Sequence, residues 1–269
     1  MLLRGLAAAS NGMQALIDQN DLTANNIANV NTVGFKKGNL IFKNIYDSSV
    51  VEKTGRGANL EARTLGELSV GSEVQKLTYD FTQGALSRTG STFDLAVEGD
   101  GFFKTQAADG SIAYTRNGSF TLNSESNLVT KDGDYVLDQS GQRIKIDTKA
   151  TKMKSTNDII INESGQIQIN TGQSPITLQT IGVYDFNNKE DLTSVGGSKF
   201  KPTDATTNPE LKAEKFTVQQ GALEMSNANV VTEMISTINT SRNYEALAKT
   251  IKDTGDTLSK GLQVGRLRG

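Results

Sequence analysis

The 269-residue chain contains no cysteine, no histidine and no tryptophan. Without thiols or imidazoles, cysteine proteases, disulfide scaffolds, Cys/His zinc sites and Ser-His-Asp triads are all excluded. Proline occurs three times, and the aromatics amount to ten phenylalanines and six tyrosines. The apolar fraction is 36%, low for a compact enzyme of this length. These figures allow a β-rich core, but a thin one. Charge is nearly balanced at −2 and no basic stripe is present, so nothing points to nucleic acid. No run approaches the roughly 18 apolar residues of a membrane span. The opening "MLLRGLAAASNGM" has an apolar run of only about six residues, short of the roughly 7–15 of a signal peptide. It reads as mature sequence, so a route out of the cytoplasm would have to leave the N-terminus uncleaved.

What is present is an asymmetry between the ends and the middle. Leu2, Leu6, Ala9, Met13, Leu16, Ile17, Ala24 and Ile27 recur at helical spacing and predict an amphipathic helix. Asn20 and Thr23 fall on the same stripe. Asn20 is either a solvated flaw or a polar position that fixes register in a coiled coil. The stretch "ANNIANVNTVGFKK" follows, with four asparagines, a glycine and a phenylalanine where the helix should end. At the other end, "VVTEMISTINTSRNYEALAKTIKDTGDTLSKGL" predicts a second long helix, with Ser226, Asn227 and Asn229 as capping candidates. Its apolar residues change face. Val231, Met234, Ile235 and Ile238 lie on one side, whereas Tyr244, Leu247, Ile251 and Leu258 lie nearly opposite. Either the helix breaks near Thr240, or it runs on among several neighbours.

From about residue 92 to 216 the pattern is that of short strands. Hairpin turns are expected at Asn117-Gly118, Asp132-Gly133, Ser140-Gly141 and Ser164-Gly165, and "ITLQTIGVYDF" reads as one further strand. The expected architecture is therefore α+β. Long terminal helices pair in a coiled-coil-like inner domain (1–35 with 226–269), an extended connection follows (36–91), and a central all-β domain of antiparallel strands with its return strand completes the chain (92–225). The connection is rich in Gly, Ser and Thr, its periodicity is weak, and only pieces such as "SEVQKLTYDF" alternate. Its length suggests packing partners on other molecules.

Enzyme-like features are few. "FDLAVEGDGFF" carries Asp94, Glu98 and Asp100, a carboxylate set that could serve glycoside chemistry. It reads better as an alternating strand ending in a Gly-Asp-Gly turn, and it lacks the third glycine and following helix of a dinucleotide loop. "DGDYVLDQSG" lacks the ligand spacing of a calcium loop. The lysines of "KIDTKATKMK" (Lys145 to Lys154) read as a solvated face. No catalytic residue, cofactor site or metal site is expected. Two long helices sharing one seam leave apolar surface uncovered, and such surface favours oligomerisation. A head-to-tail contact that does not close gives a helical filament.

Three stretches resemble the bacterial flagellar rod and hook protein family. The first is "ANNIANVNTVGFKK", matching the family's N-terminal signature at Asn25, Asn26, Ala28, Asn29, Thr32, Gly34 and Phe35. The second is "FDLAVEGDGFFKTQAADGSIAYTRNGSFTL", matching at Asp94, Ala96, Gly99, Gly101, Phe102, Phe103, Tyr114, Thr115, Arg116, Gly118 and Phe120. The third is "QGALEMSNANVV" with its downstream Arg-x-Tyr-Glu, matching at Gly221, Leu223, Glu224, Ser226, Asn227, Arg242, Tyr244 and Glu245; Ala228 departs where the family often has valine.

The resemblance implies a basal-body rod subunit. Its terminal helices would line a central channel, its β-domain would lie outside, and it would leave through the flagellar type III export apparatus without signal cleavage. Its partners would be copies of itself, other rod and hook axial proteins, the export apparatus and surrounding ring proteins. The length suits rod proteins better than the longer hook protein. Val50 to Gly84 looks like the added segment of the distal type, but the tail past Ile251 is longer than that type suggests, and both rod types stay open. Expected packing positions are Leu6, Met13, Leu16, Ile27, Met234, Ile238, Leu247 and Ile251. Rival readings are a hook or hook-junction subunit, a cell-wall hydrolase acting through Glu98, and a secreted adhesin.

Overall fold

A computed structural model describes residues 2–54, 61–146, 158–170 and 176–266. Residues 147–154 of the lysine-bearing stretch and 55–60 of the Val50 to Gly84 segment lie outside the described residues, as do the last three of the C-terminal tail. The chain is α+β and divides into two compact units. One comprises 1–27, 38–77 and 230–269; the other comprises 28–37 and 78–229.

The first unit holds α1 (Leu2–Ala28), a two-stranded sheet of β1 (Gly38–Thr54) and β2 (Glu61–Tyr79), and α2 (Val230–Arg266). α2 runs without interruption through Thr240, so the break weighed at that position does not occur. Threonine is a poor helix former because its hydroxyl competes for the backbone. Here the hydroxyls turn inward on their own helix. Thr237, Thr250, Thr254 and Thr257 each donate to the carbonyl four residues back, at 2.7–3.1 Å. The connection expected to be only partly strand-like is instead a ribbon of two long strands. Among the described residues β1 and β2 pair with each other alone, and Phe42 of β1 lines a pocket with Gly12, Ala15 and Leu16 of α1 and Leu247 of α2.

Among the described residues the second unit holds sixteen short strands: β3 (Leu86–Arg88), β4 (Leu95–Gly99), β5 (Phe102–Gln106), β6 (Ile112–Thr115), β7 (Phe120–Leu122), β8 (Leu128–Thr130), β9 (Tyr135–Val136), β10 (Ile159–Ile161), β11 (Gln166–Ile169), β12 (Ile176–Thr180), β13 (Val183–Asp185), β14 (Leu192–Gly196), β15 (Lys199–Pro202), β16 (Leu211–Lys212), β17 (Phe216–Gln220) and β18 (Ala222–Glu224). The outermost pairings nest: β3 with β18, then β4 with β17 in the register Val97 opposite Val218. Inside them lies a nine-stranded antiparallel sheet, ordered β14-β15-β6-β5-β9-β8-β7, which β13 joins at β5 and which β16 extends beyond β13. β10, β11 and β12 form a separate three-stranded sheet.

Alternation along β5 explains where the core sits. Phe103 joins an aliphatic cluster with Leu95, Val97, Ile144, Ile167 and Val218. Its neighbour Phe102 points to the other face, into an aromatic cluster with Tyr114, Tyr184, Phe186 and Phe200. Phe81 caps that cluster edge-on, 5.3 Å from the Phe102 ring and 5.1 Å from that of Phe200. The scarce aromatics are thus concentrated rather than spread.

The turns at Asp132-Gly133, Ser140-Gly141 and Ser164-Gly165 close antiparallel pairs as the sequence indicates. Asn117-Gly118 does not. β6 pairs with β5 and β15, and β7 pairs with β8, so the two strands flanking Asn117-Gly118 are not partners. Glycine is needed there for close approach instead: a Cβ on Gly118 would lie 1.7 Å from the Leu95 carbonyl oxygen. "ITLQTIGVYDF" also differs from its reading as one strand. It divides at Ile181-Gly182 into β12 and β13, which belong to different sheets.

Candidate subunit interface and chain junction

In the helical unit, the faces that pack within the chain are not the most apolar ones. α1 buries Ala9, Ala15, Thr23 and Asn26, a line of small and polar residues. Leu247 of α2 packs over Gly12 on the same side. Large residues of the expected stripe stay partly in solvent: Leu6 and Ile17 are exposed, and Met13, Leu16 and Ile27 are half-buried. On α2 a single stripe advances by four and three residues through Glu233, Thr237, Thr240, Tyr244, Leu247 and Ile251. Glu233 and Thr240 on it are buried, and Thr237, Leu247 and Ile251 are half-buried. The stripe is polar in its first half and apolar in its second. That is why the apolar residues change face by sequence while the helix itself does not turn away.

The other face of α2 carries Met234 at 52% exposure, Ile235 at 55% and Ile238 at 52%. Three adjoining large apolar residues, each more than half open, form a patch of the sort associated with association. Arg242 is exposed. Tyr244 lies with Leu16, Ile17, Asn20 and Glu245 along a groove between the two helices.

The asparagine run divides its work. α1 continues through Asn25 and Asn26 to Ala28. Asn25 and Ala28 are exposed. Asn26 is 2% exposed, and its amide clasps the first residue of β1: the Gly38 N–H donates to Oδ1 at 3.0 Å, and Nδ2 donates to the Gly38 carbonyl at 3.1 Å. Nδ2 also reaches Glu233 of α2 at 3.3 Å. Asn29 belongs to the turn, where its carbonyl accepts from the Thr32 N–H and its side chain from the Thr32 hydroxyl.

In the β unit, Gly34 takes φ +67°, and a Cβ there would lie 2.3 Å from the Asn117 backbone nitrogen. Only glycine meets both demands. Its N–H donates to the Glu224 carbonyl at 2.8 Å, and Phe35 beside it is half-buried. This close approach delivers Lys36 to a buried charge cluster. Lys36, Arg116 and Glu224 have relative side-chain exposures of 1%, 2% and 0%. Glu224 Oε1 accepts from Lys36 Nζ at 2.6 Å and from the Gly84 N–H at 3.0 Å. Its Oε2 accepts from Arg116 Nη1 at 3.2 Å. Lys36 further donates to the Thr82 carbonyl at 2.7 Å, and Arg116 to the carbonyls of Val97 and Gly99 at 3.3 and 2.8 Å. The Arg116 guanidinium also lies 5.2 Å from the Phe102 ring centre. Two cations face one anion, and burial holds the Lys36 ammonium below its ordinary pKa even though Glu224 pulls the other way.

Asn227 is not a helix cap. Its Oδ1 accepts from the Lys37 N–H at 2.8 Å, and its Nδ2 donates to the Asp80 carbonyl at 2.7 Å and the Thr82 carbonyl at 3.2 Å. Ser226 is occupied with the Ala228 N–H, outside α2, which leaves Asn229 as the residue next to the helix start. The three stretches that carry the family resemblance therefore meet here, through Gly34, Arg116 and Glu224. Reasoning from sequence missed the cluster: Lys36 and Glu224 are 188 positions apart, and the available signal was only a lysine beside a glycine and an aromatic residue.

The acidic residues considered for catalysis are on strand and turn surface. Glu98 accepts from Gln219 at 2.5 Å, and Asp100 pairs with Lys189 at 2.5 Å. No group of acidic residues is arranged to hold a metal, and no helix is long and apolar enough to cross a membrane, among the described residues.

Long terminal helices that leave large apolar side chains exposed, at either end of a chain whose middle is a β unit of short strands, are the arrangement the sequence resemblance leads one to expect of an axial assembly protein. Comparison with known proteins agrees. Residues 6–36 match the family described as flagella basal body rod protein, residues 96–169 the flagellar hook protein FlgE/F/G D1 domain, and residues 219–264 the flagellar basal body rod FlgEFG protein C-terminal region. The flagellar basal-body rod protein FlgG of Bacillus subtilis is 31% identical over 98% of this chain and 100% of its own length. FlgG of Borreliella burgdorferi is 35% identical over 96% and 97%, and FlgF of Caulobacter vibrioides 33% identical over 88% and 87%. The chain belongs to the flagellar basal-body rod protein family.

Proposed function

We propose that this chain is a structural subunit of the bacterial flagellar basal-body rod, polymerising through its terminal helices into a stiff, hollow helical tube that transmits torque and conducts exported subunits. The observation that carries this reading is the exposed face of α2 at Met234, Ile235 and Ile238, in a chain whose relatives are named as rod proteins. Covering that face against a neighbouring copy contributes to assembly, and the stripe through Glu233, Tyr244, Leu247 and Ile251 supports a coiled-coil-like pairing of α2 with α1. Leu6, Met13, Leu16, Ile27, Leu247 and Ile251 are assigned to packing within and between such helix pairs, and the β unit braces adjacent subunits.

The partners are other copies and other rod and hook axial proteins. Surrounding ring proteins border the tube, and the export apparatus delivers the subunit with its N-terminus uncleaved. The protein works by mechanics rather than catalysis. Electron microscopy of purified basal bodies with the subunit located tests the assignment. Density in the rod is expected; density confined to the hook or its junction moves the subunit within the axial class, and absence from the organelle overturns the reading.

A further inference from the structure

Three segments of the β unit lead directly to points where the chain leaves it or returns: residues 34–37 before the crossing after Lys37, residues 80–84 after the crossing before Thr78, and residues 222–227 before the crossing after Asn229. Their bonds interlock. Residues 222–227 accept from the first segment at the Gly34, Lys36 and Lys37 donors. The same residues hold the second segment through the Gly84 N–H on Glu224 and the Asp80 carbonyl on Asn227. The first and second segments are tied directly by the Asp80 N–H on the Lys37 carbonyl at 2.8 Å. Removing any one segment strands a buried polar group on another. Loss of 34–37 leaves the Asn227 oxygen and one Glu224 oxygen short of donors; loss of 222–227 leaves two buried cations without their anion. An ion whose partner is withdrawn inside a protein costs far more than a surface ion.

We propose that Lys36, Arg116, Glu224 and Asn227 form a cooperative joint within the β unit, so that segments 34–37, 80–84 and 222–227 dock on the rest of that unit or release from it as one event. The bonds lie within one chain, so the joint operates in the free monomer and does not depend on the rod-subunit reading.

Native-state hydrogen exchange on the full-length monomer tests this. The amides to follow are those of Gly34, Lys37, Asp80, Gly84 and Met225, all bonded at the joint or beside it. The Leu128 amide in β8, bonded to the Ile144 carbonyl, is the control. Across a denaturant series the five should share one opening isotherm, distinct from that of Leu128. Asn227→Ala should then speed exchange at all five together, by about tenfold for each hydrogen bond lost. Lys36→Met should do the same while keeping the side-chain length. Five separate isotherms overturn the joint. So does a variant in which Lys37 and Asp80 exchange faster while Gly84 and Met225 keep their original rates. If Asn227→Ala loosens the whole unit, the series on the unaltered chain decides alone.

Discussion

Glu224→Gln keeps the shape of a fully buried side chain and removes one charge from a cluster of three. In the native arrangement each carboxylate oxygen serves a different cation, Oε1 at 2.6 Å from Lys36 and Oε2 at 3.2 Å from Arg116. A glutamine can offer its oxygen to Lys36 and the Gly84 N–H. Its NH2 then faces the Arg116 guanidinium, donor against donor. Two uncompensated cations remain, held only by backbone carbonyls. Breaking a buried pair by removing one partner costs about 3–5 kcal/mol. A domain of this size has roughly 5–15 kcal/mol in total, and each kcal/mol moves Tm by about 2–4 °C. The β unit should therefore melt roughly 6–20 °C lower.

Lys36→Met alone leaves the Arg116–Glu224 pair intact and buries an apolar chain of similar length, so it should cost less. The Lys36→Met/Glu224→Gln double variant should recover part of the loss of Glu224→Gln, since it returns the cluster to a single cation. The coupling energy should be about 1–3 kcal/mol. Urea denaturation of the four proteins, followed by circular dichroism, measures it. Additive single effects, or a Glu224→Gln cost under about 1 kcal/mol, would refute the claim that the three charges form one electrostatic unit.

Gly34→Ala combines a left-handed φ with a Cβ 2.3 Å from backbone. It should destabilise the β unit by about 2 kcal/mol or more, read as a lowered urea midpoint. A fragment spanning 28–229 should fold, whereas 38–229, which lacks Lys36, should show a lower melting temperature; equal melting of the two would contradict the role given to residues 34–37. Stability should also depend on pH at two places. Because burial lowers the folded pKa of Lys36, the unfolded chain holds more protons between that value and 10.5, and stability should rise with pH across the window. Lys36→Met should flatten that slope. Tyr114 behaves oppositely: burial and its hydrogen bond to Glu210 raise its pKa above 10.0, the folded state keeps the proton longer, and stability should fall as pH passes 10. Tyr114→Phe should weaken the fall, as pH-dependent unfolding would register.

What could be read from sequence followed from how local each signal is. Helical spacing places both terminal helices, because an amphipathic pattern of 27 or 37 residues repeats many times. The Gly-containing turns of β8–β9 and β10–β11 were equally legible, because the hairpin is local. Asn117-Gly118 misled for the same reason: it carries a hairpin signal, yet its glycine is required by the Leu95 carbonyl and its asparagine abuts Gly34. The face change in α2 left a break and a continuous helix equally open, because sequence cannot indicate that the packed stripe turns polar at Glu233, Thr237 and Thr240. The β1–β2 ribbon was only partly legible, since just its last stretch, "SEVQKLTYDF", alternates clearly. The charge cluster left little trace, since Lys36, Arg116 and Glu224 lie on three separate segments that the fold, and not their spacing, brings together.

The central claim is that the exposed face of α2 builds the polymer. Met234, Ile235 and Ile238 are each about half exposed already, so covering them fully contributes about 2–4 kcal/mol per subunit. A Met234→Asp/Ile238→Asp chain loses that term and must desolvate two charges to assemble. Sedimentation and negative-stain electron microscopy of this variant beside the unaltered chain, at matched concentration and with β-unit melting as the folding control, make the direct measurement. The expected result is filaments from the unaltered chain, none from the variant, and unchanged melting of the β unit. Filaments of normal length from the variant would contradict the account.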